Sequence, residues 1–329
     1  MKLWMKAAFS LALMALLLWK VDLQQILAAF AATNLNLWLA AFVLFLIQQV
    51  LVTYCWQILL AAHHSAPPFF KTLEVHCVGS FFGTFLPTSV AMDVIRAYRL
   101  GRYLKHRVDA AGSLFVTRVI GFLVIFMLAL IVAIPVSRAL QEARLFWLVL
   151  AGLVAFIAAV SVLLQKNAAG LLQTALQRLG LNSLADKIAG FRASILVYGQ
   201  SRRALLLLLA LTWLYQILGI FIIYLVGRSL GIELAIWHYF IYIPLITTIA
   251  LLPVSLAGLG IREGAFVFFF AQAGVAQAQA LSLSLMIFAQ SVALALLGGL
   301  WYLLAKEQLE KSRPAESGQT TQVIPKESF

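Results

Sequence analysis

The chain has 329 residues, 63% of them hydrophobic and 11% charged, with a mean hydropathy of +0.98. A water-soluble fold of this length needs far more polar surface, so the composition excludes one or two soluble domains and predicts helices within a bilayer. Lys and Arg outnumber Asp and Glu by 24 to 12, a net charge of +12. There is no zinc-ligand spacing, P-loop or base-stacking motif, so this surplus reads as basic cytoplasmic loops and not as a nucleic-acid surface.

Residues 1–19 place Lys2 and Lys6 ahead of an apolar run. Ala29-Phe30-Ala31 resembles a cleavage site, but Asp22, Gln24 and Gln25 separate it from that run. The segment is therefore expected to be a retained membrane helix, not a signal peptide. Apolar segments follow at 35–61, 69–87, 110–135, 145–164, 204–226, 236–254, 264–274 and 280–304. Segment 69–87 is interrupted by Lys71, Glu74 and His76, and 264–274 is too short to span. Between 166 and 203, Leu171, Leu172, Ala175, Leu176 and Leu179 recur at helical spacing among Gln173, Gln177, Arg178 and Lys187. This is the pattern of an amphipathic helix lying in the interface. After Lys306 the chain turns polar and reads as a disordered tail.

These segments predict an all-α polytopic membrane protein of about 6–8 transmembrane helices. A membrane domain covers residues 1–305 and a cytoplasmic tail 306–329. Arg96, Arg99, Arg102, Lys105 and Arg107 mark one cytoplasmic loop, and Lys166, Arg178, Lys187, Arg192, Arg202 and Arg203 another. Lys2 and Lys6 place the N-terminus on the same side. The three are reconciled if 69–87 is a re-entrant segment entered from the cytoplasm and 236–274 a re-entrant hairpin entered from outside, which also brings the C-terminus to the cytoplasm. Cys55 and Cys77 lie in apolar segments and are expected to be free thiols, with no metal site and no cofactor.

An internal repeat stands out. Leu86-Pro87-Thr88-Ser89-Val90-Ala91 recurs as Leu252-Pro253-Val254-Ser255-Leu256-Ala257, and Ile95-Arg96 recurs as Ile261-Arg262, at a constant offset of 166. Pro87 and Pro253 would break helices, and Ser89 and Ser255 would cap the helices that follow. A helix that starts within the membrane, with an arginine two turns on, offers free N–H groups and positive charge to an anion. Two broken helices facing each other would make an anionic lipid's headgroup site.

Several charges need a reason to lie in apolar segments. Asp93 can pair with Arg96 at i,i+3. Arg118 falls inside 110–135 and would pair with Asp93 or Glu263 unless it binds a ligand. Glu263 adjoins Arg262, and Gly258 and Gly260 would let the backbone approach a ligand closely. A lone histidine such as His76 is expected to be hydrogen-bonded to a neighbour. No Ser-His-Asp arrangement, carboxylate pair or HExxH motif assembles, so no catalytic residue is assigned.

The stretch Gly79-Ser-Phe-Phe-Gly-Thr-Phe-Leu-Pro-Thr-Ser-Val-Ala-Met-Asp93-Val-Ile-Arg96, then Ser113-Leu-Phe-Val-Thr-Arg118-Val-Ile-Gly121, then Leu252-Pro-Val-Ser-Leu-Ala-Gly-Leu-Gly-Ile-Arg-Glu263 resemble, in order, motifs of the lysylphosphatidylglycerol synthase transmembrane-region family. Ala91-Met92 stands where the resemblance has a glycine pair, and Thr117 where it has an acid. The resemblance implies a lipid flippase-like protein of the bacterial inner membrane. Arg96, Arg118 and Arg262 would engage a phosphate, while Asp93 and Glu263 would position the arginines or accept a cationic headgroup. Aminoacyl transfer, which belongs to that family's soluble domain, is not expected. The rival expectations are a non-transporting subunit that anchors a glycosyl- or aminoacyl-transferase, and an embedded transferase using Glu263 or His76 as base. A soluble partner or a homo-oligomer is compatible with any of them.

Overall fold

The computed structural model describes residues 23–62, 67–85, 91–101, 107–139, 144–165, 195–198, 202–250 and 259–311, with isolated positions among 12–21 and at 104 and 193. Most of the first apolar run, the 166–192 segment, the tail beyond 311 and both Pro-x-Ser sequences lie outside these residues. All described regular structure is helical: α1 Leu23–Ala31, α2 Leu35–Ala62, α3 Phe69–Phe85, α4 Ala91–Leu100, α5 Arg107–Ala139, α6 Arg144–Leu164, α7 Arg202–Ser229, α8 Ile236–Ala250, α9 Ile261–Gln272 and α10 Gln277–Lys311. Four stretches are long and apolar enough to cross a membrane: Leu35–Ala61, Asp109–Pro135, Arg202–Ser229 and Gln277–Leu304. The protein is an all-α polytopic membrane protein, as its composition requires.

The short helix α1 was not anticipated, because Asp22, Gln24 and Gln25 read as an interruption. It forms because Ile26 is only 2% exposed, packed in a cluster with Phe266 and Phe270. Asn34 then caps α2, its Oδ1 accepting from the Leu37 N–H at 3.2 Å.

The 166-residue offset extends from the sequence motif to the whole element order. Shifted by 166, α2 would cover 201–228, against Arg202–Ser229 for α7. Likewise α3 would cover 235–251, against Ile236–Ala250 for α8. Helices α2–α5 and α7–α10 are therefore two copies of one unit, long–short–short–long, with α1 ahead of them and α6 between them. The first copy packs around Trp56, Val75, Leu100 and Leu114, the second around Tyr239, Ile243, Phe266, Phe270 and Leu281.

The two copies are inverted. At one end of the α2–α7 pair, the Asn34 N–H donates to the Ser229 carbonyl at 2.8 Å. Fourteen residues along α2 and fourteen back along α7, the Gln48 amide donates to the Tyr215 carbonyl at 2.9 Å. Equivalent helices thus run antiparallel, the arrangement that places a pseudo-two-fold axis in the membrane plane.

Within each copy the two short helices form a hairpin. Gly79 lies against Arg96 and Gly83 against Met92, so α3 and α4 are antiparallel. In the second copy Tyr239 and Tyr242 at the start of α8 meet Phe270 at the end of α9, with ring centroids 5.2 and 5.5 Å apart. At 1.5 Å per residue, α3 reaches about 25 Å and α8 about 22 Å, short of a ~30 Å hydrocarbon core. Small residues let these hairpins pack where lipid supplies no hydrophobic drive. Gly298 of α10 lies directly on the Cys77 carbonyl of α3, and Gly299 lies against the Phe81 ring.

Candidate functional site

Seven helices of the bundle line a cavity of about 410 Å³. Each contributes one face at helical spacing. From α2 come Phe45, Gln49, Val52 and Cys55; from α3, His76, Ser80 and Thr84; from α4, Met92, Asp93 and Arg96. The long helix α5 adds Leu114, Thr117, Arg118, Gly121, Phe122 and Ile125, and α7 adds Thr212, Tyr215 and Gln216. Thr247 of α8 and Ser291 and Leu294 of α10 complete the wall.

The charged centre of this cavity is Asp93 with Arg96 and Arg118. The Arg118 guanidinium grips Asp93 in a two-point contact, Nε to Oδ2 at 2.8 Å and Nη2 to Oδ1 at 3.2 Å. Its side chain is still 44% exposed. Arg96 Nη1 lies 3.7 Å from the same Oδ1, so one carboxylate serves two cations. The expected i,i+3 pairing of Asp93 with Arg96 is therefore present but secondary. The fork geometry of guanidinium and carboxylate favours the partner across the helix interface.

Arg96 is 8% exposed and threads between helices. Its Nη2 donates to the His76 carbonyl at 3.2 Å and to Ser80 Oγ at 3.1 Å. Its Nε, buried, has no acceptor among the described residues. A buried charged group with an unmade hydrogen bond costs about 1–3 kcal/mol or more, so this arginine is not placed for stability alone. Gly79 makes the passage: a Cβ there would stand 2.5 Å from Arg96 Cγ and 2.9 Å from Nε.

His76 is held as a neighbour-bonded histidine. The Gln49 amide nitrogen donates to the Phe45 carbonyl at 3.4 Å, which turns Gln49 Oε1 toward His76 Nε2 at 3.1 Å. Nε2–H is then a donor and cannot also accept from Arg96. Nearby, Glu74 is enclosed by Lys71 at 2.6 Å and Arg99 at 3.0 Å, with the Arg99 guanidinium over the Tyr302 ring.

The second copy is built differently. Helix α9 starts after Gly260, whose φ of +82° is the left-handed conformation that glycine tolerates. The N-cap of the helix carrying Arg262 is thus Gly260, not Ser255, which lies five residues earlier and outside the described residues. The close approach at Gly260 is to Leu13, where a Cβ would stand 3.0 Å from Leu13 Cβ. Glu263 is fully buried. Its Oε2 accepts from the Gly260 N–H at 2.6 Å, and its Oε1 accepts from Arg262 Nε at 3.0 Å and from Ser284 at 3.4 Å. That carboxylate has no capacity left for a ligand. Arg262, stacked 5.5 Å above the Phe288 ring, does not line the cavity, nor does Glu263.

The structure therefore gathers Asp93, Arg96 and Arg118 and sets Gly260, Arg262 and Glu263 apart. Pro87, Ser89, Pro253, Ser255 and Gly258 lie outside the described residues. Sequence reading missed Gln49, Ser80, Thr212, Tyr215 and Gln216. The signal was present: Gln48-Gln49 interrupts the middle of the 35–61 apolar segment, and 212, 215 and 216 share one helical face. Cys55 and Cys77 are free and buried. Among the described residues no three His, Cys, Asp or Glu side chains gather as a metal site requires.

No curated protein and no solved structure matches the chain. A family model described as the lysylphosphatidylglycerol synthase TM region matches residues 3–299. With motifs, helices and nearly the full length accounted for, the chain belongs to the lysylphosphatidylglycerol synthase transmembrane region family.

Proposed function

We propose that this protein binds the anionic headgroup of a membrane lipid in the cavity between its helices and carries that lipid between leaflets. The observation that supports it is the pair of arginines converging on one carboxylate inside a bundle of membrane helices. A cation in the hydrocarbon region is costly and is kept where it does work. Guanidinium groups match phosphate oxygens as they match carboxylate oxygens. Asp93 gives the two guanidiniums the kind of contacts that a lipid phosphate would take over.

The rest of the cavity suits a lipid. Gln49, Thr212, Tyr215 and Gln216 offer donors and acceptors for headgroup hydroxyls, while Phe45, Phe122, Ile125 and Leu294 offer an apolar wall. Inverted copies with short hairpins beside the site favour movement by rocking one copy against the other. In this reading the hairpins α3–α4 and α8–α9 are re-entrant, from opposite faces. The protein sits in the bacterial inner membrane with both termini cytoplasmic, as the basic loops require.

The experiment is transfer of acyl-labelled phosphatidylglycerol between leaflets of liposomes containing the purified protein. Wild type is expected to exchange label, and Arg118→Ala to slow exchange about tenfold or more, the loss of one two-point charged contact. Equal rates for both proteins would refute the role of the cavity.

A further inference from the structure

The cavity offers two cations and no uncommitted carboxylate. The chain has 12 Asp and Glu residues, and among the described ones only Asp93 lines the cavity. That side chain already serves Arg118 at 2.8 and 3.2 Å and Arg96 at 3.7 Å. Glu74 is spent on Lys71 and Arg99, and Glu263 is sealed by Gly260, Arg262 and Ser284. Segments 86–90 and 251–258, which join the hairpin helices, contain no acidic residue. The remaining polar lining is hydroxyls, amides and the His76 ring, groups that can bond a sugar or glycerol but carry no negative charge to balance an ammonium group.

We infer that the site selects a lipid whose headgroup carries a phosphate and no ammonium group. The inference rests on the lipid-binding reading above and names the class of headgroup. A phosphate displaces Asp93 from the two guanidiniums, and its negative charge is matched. An ammonium on the same headgroup brings a third cation into a space where Asp93 and the phosphate together balance two, and no second carboxylate lines the cavity to meet it. Like charges brought together in a binding site are a strong basis for rejection. Two lipid sources share the accepted chemistry, a glycerophospholipid with a hydroxyl-bearing headgroup and a polyprenyl phosphate.

Thr117 is the position where the missing charge could be supplied. It lines the cavity beside Arg118, and its hydroxyl donates back to the Ser113 carbonyl at 2.9 Å, so it holds no other partner there. An aspartate at this position adds a carboxylate without removing either arginine.

The test is native mass spectrometry of the full chain titrated separately with phosphatidylglycerol, lysyl-phosphatidylglycerol and a polyprenyl phosphate, alongside liposome transfer of the first two. Phosphatidylglycerol or the polyprenyl phosphate is expected to bind about tenfold or more tightly than lysyl-phosphatidylglycerol, and whichever of the two binds identifies the source. Comparable or tighter binding of the lysyl lipid overturns the inference. Selective binding without transfer leaves it standing and refutes carriage between leaflets, whereas no binding of any lipid overturns both. Thr117→Asp is expected to raise the lysyl-to-plain binding ratio about tenfold; an unchanged ratio also overturns it.

Discussion

Arg118 and Glu263 illustrate two opposite uses of a charge in an apolar segment. Arg118 is paired yet 44% exposed to the cavity, so its contact with Asp93 can be exchanged for another anion. Glu263 is paired and fully buried, so its contacts are structural. Glu263→Gln removes the counter-charge of Arg262 and weakens the bond to the Gly260 N–H. It is expected to cost on the order of 2–4 kcal/mol of stability, seen as a lower unfolding temperature in detergent, with lipid binding per folded molecule unchanged. Arg118→Ala should do the reverse, sparing the unfolding temperature and losing binding. Gly79→Ala places a methyl group on the Arg96 side chain and is expected to weaken lipid binding through Arg96 alone. A Gly79→Ala protein that binds as wild type would contradict the threading of Arg96 past α3. That Arg118 needed a partner or a ligand was legible in the sequence, because an arginine in a 27-residue apolar stretch has few innocent explanations. The sequence left Arg118 two partners, Asp93 or Glu263, and the contacts choose Asp93, which stands nearest Arg96 along the chain. Capping by Gly260 was also hidden: a serine after a proline advertises a cap, while a left-handed glycine does so only through its φ.

At the scale of elements, the hairpins depend on backbones approaching closely. Gly298 lies on the Cys77 carbonyl, and any Cβ there must push α10 away from α3. Gly298→Val is expected to destabilise the protein by about 2 kcal/mol or more, the cost of an overpacked contact that backbone cannot yield. Lipid binding should fall with it, because α3 carries His76 and Ser80 beneath Arg96. Retained stability in a detergent melt would mean that the two helices are not locked by this contact. Six identities in eleven residues at an offset of 166 anticipated a duplication that proves to involve four helices in each half. The hydropathy of the short segments was ambiguous for a physical reason. Helices of 10–17 residues carry enough polar groups to pack and too few apolar ones to register as spans.

For the whole molecule, inversion makes the two halves equal in backbone and unequal in chemistry. The offset carries Arg118 onto Ser284, so the second half lacks the cation that opens the first half's site. The antiparallel pairing of α2 and α7 also predicts sidedness. Glu233, just past the Ser229 end of α7, should face outward, and Gln165, at the end of α6, should face the cytoplasm. With Cys55 and Cys77 buried, a membrane-impermeant maleimide applied to intact cells should label Glu233→Cys and spare Gln165→Cys; the opposite pattern would invert the topology. The offset alone does not show the antiparallel relation, because an inverted and a direct repeat have the same offset; in the sequence only the basic loops pointed to it, by having the two short segments enter from opposite faces. The most direct test of the account is an experimental structure of the protein in a lipid nanodisc, at a resolution that places the headgroup. The account predicts a phosphate with oxygens about 3 Å from both Arg96 and Arg118 and Asp93 turned away from them. A cavity that holds only water, with Asp93 still gripping Arg118 in the presence of bound lipid elsewhere, would contradict it.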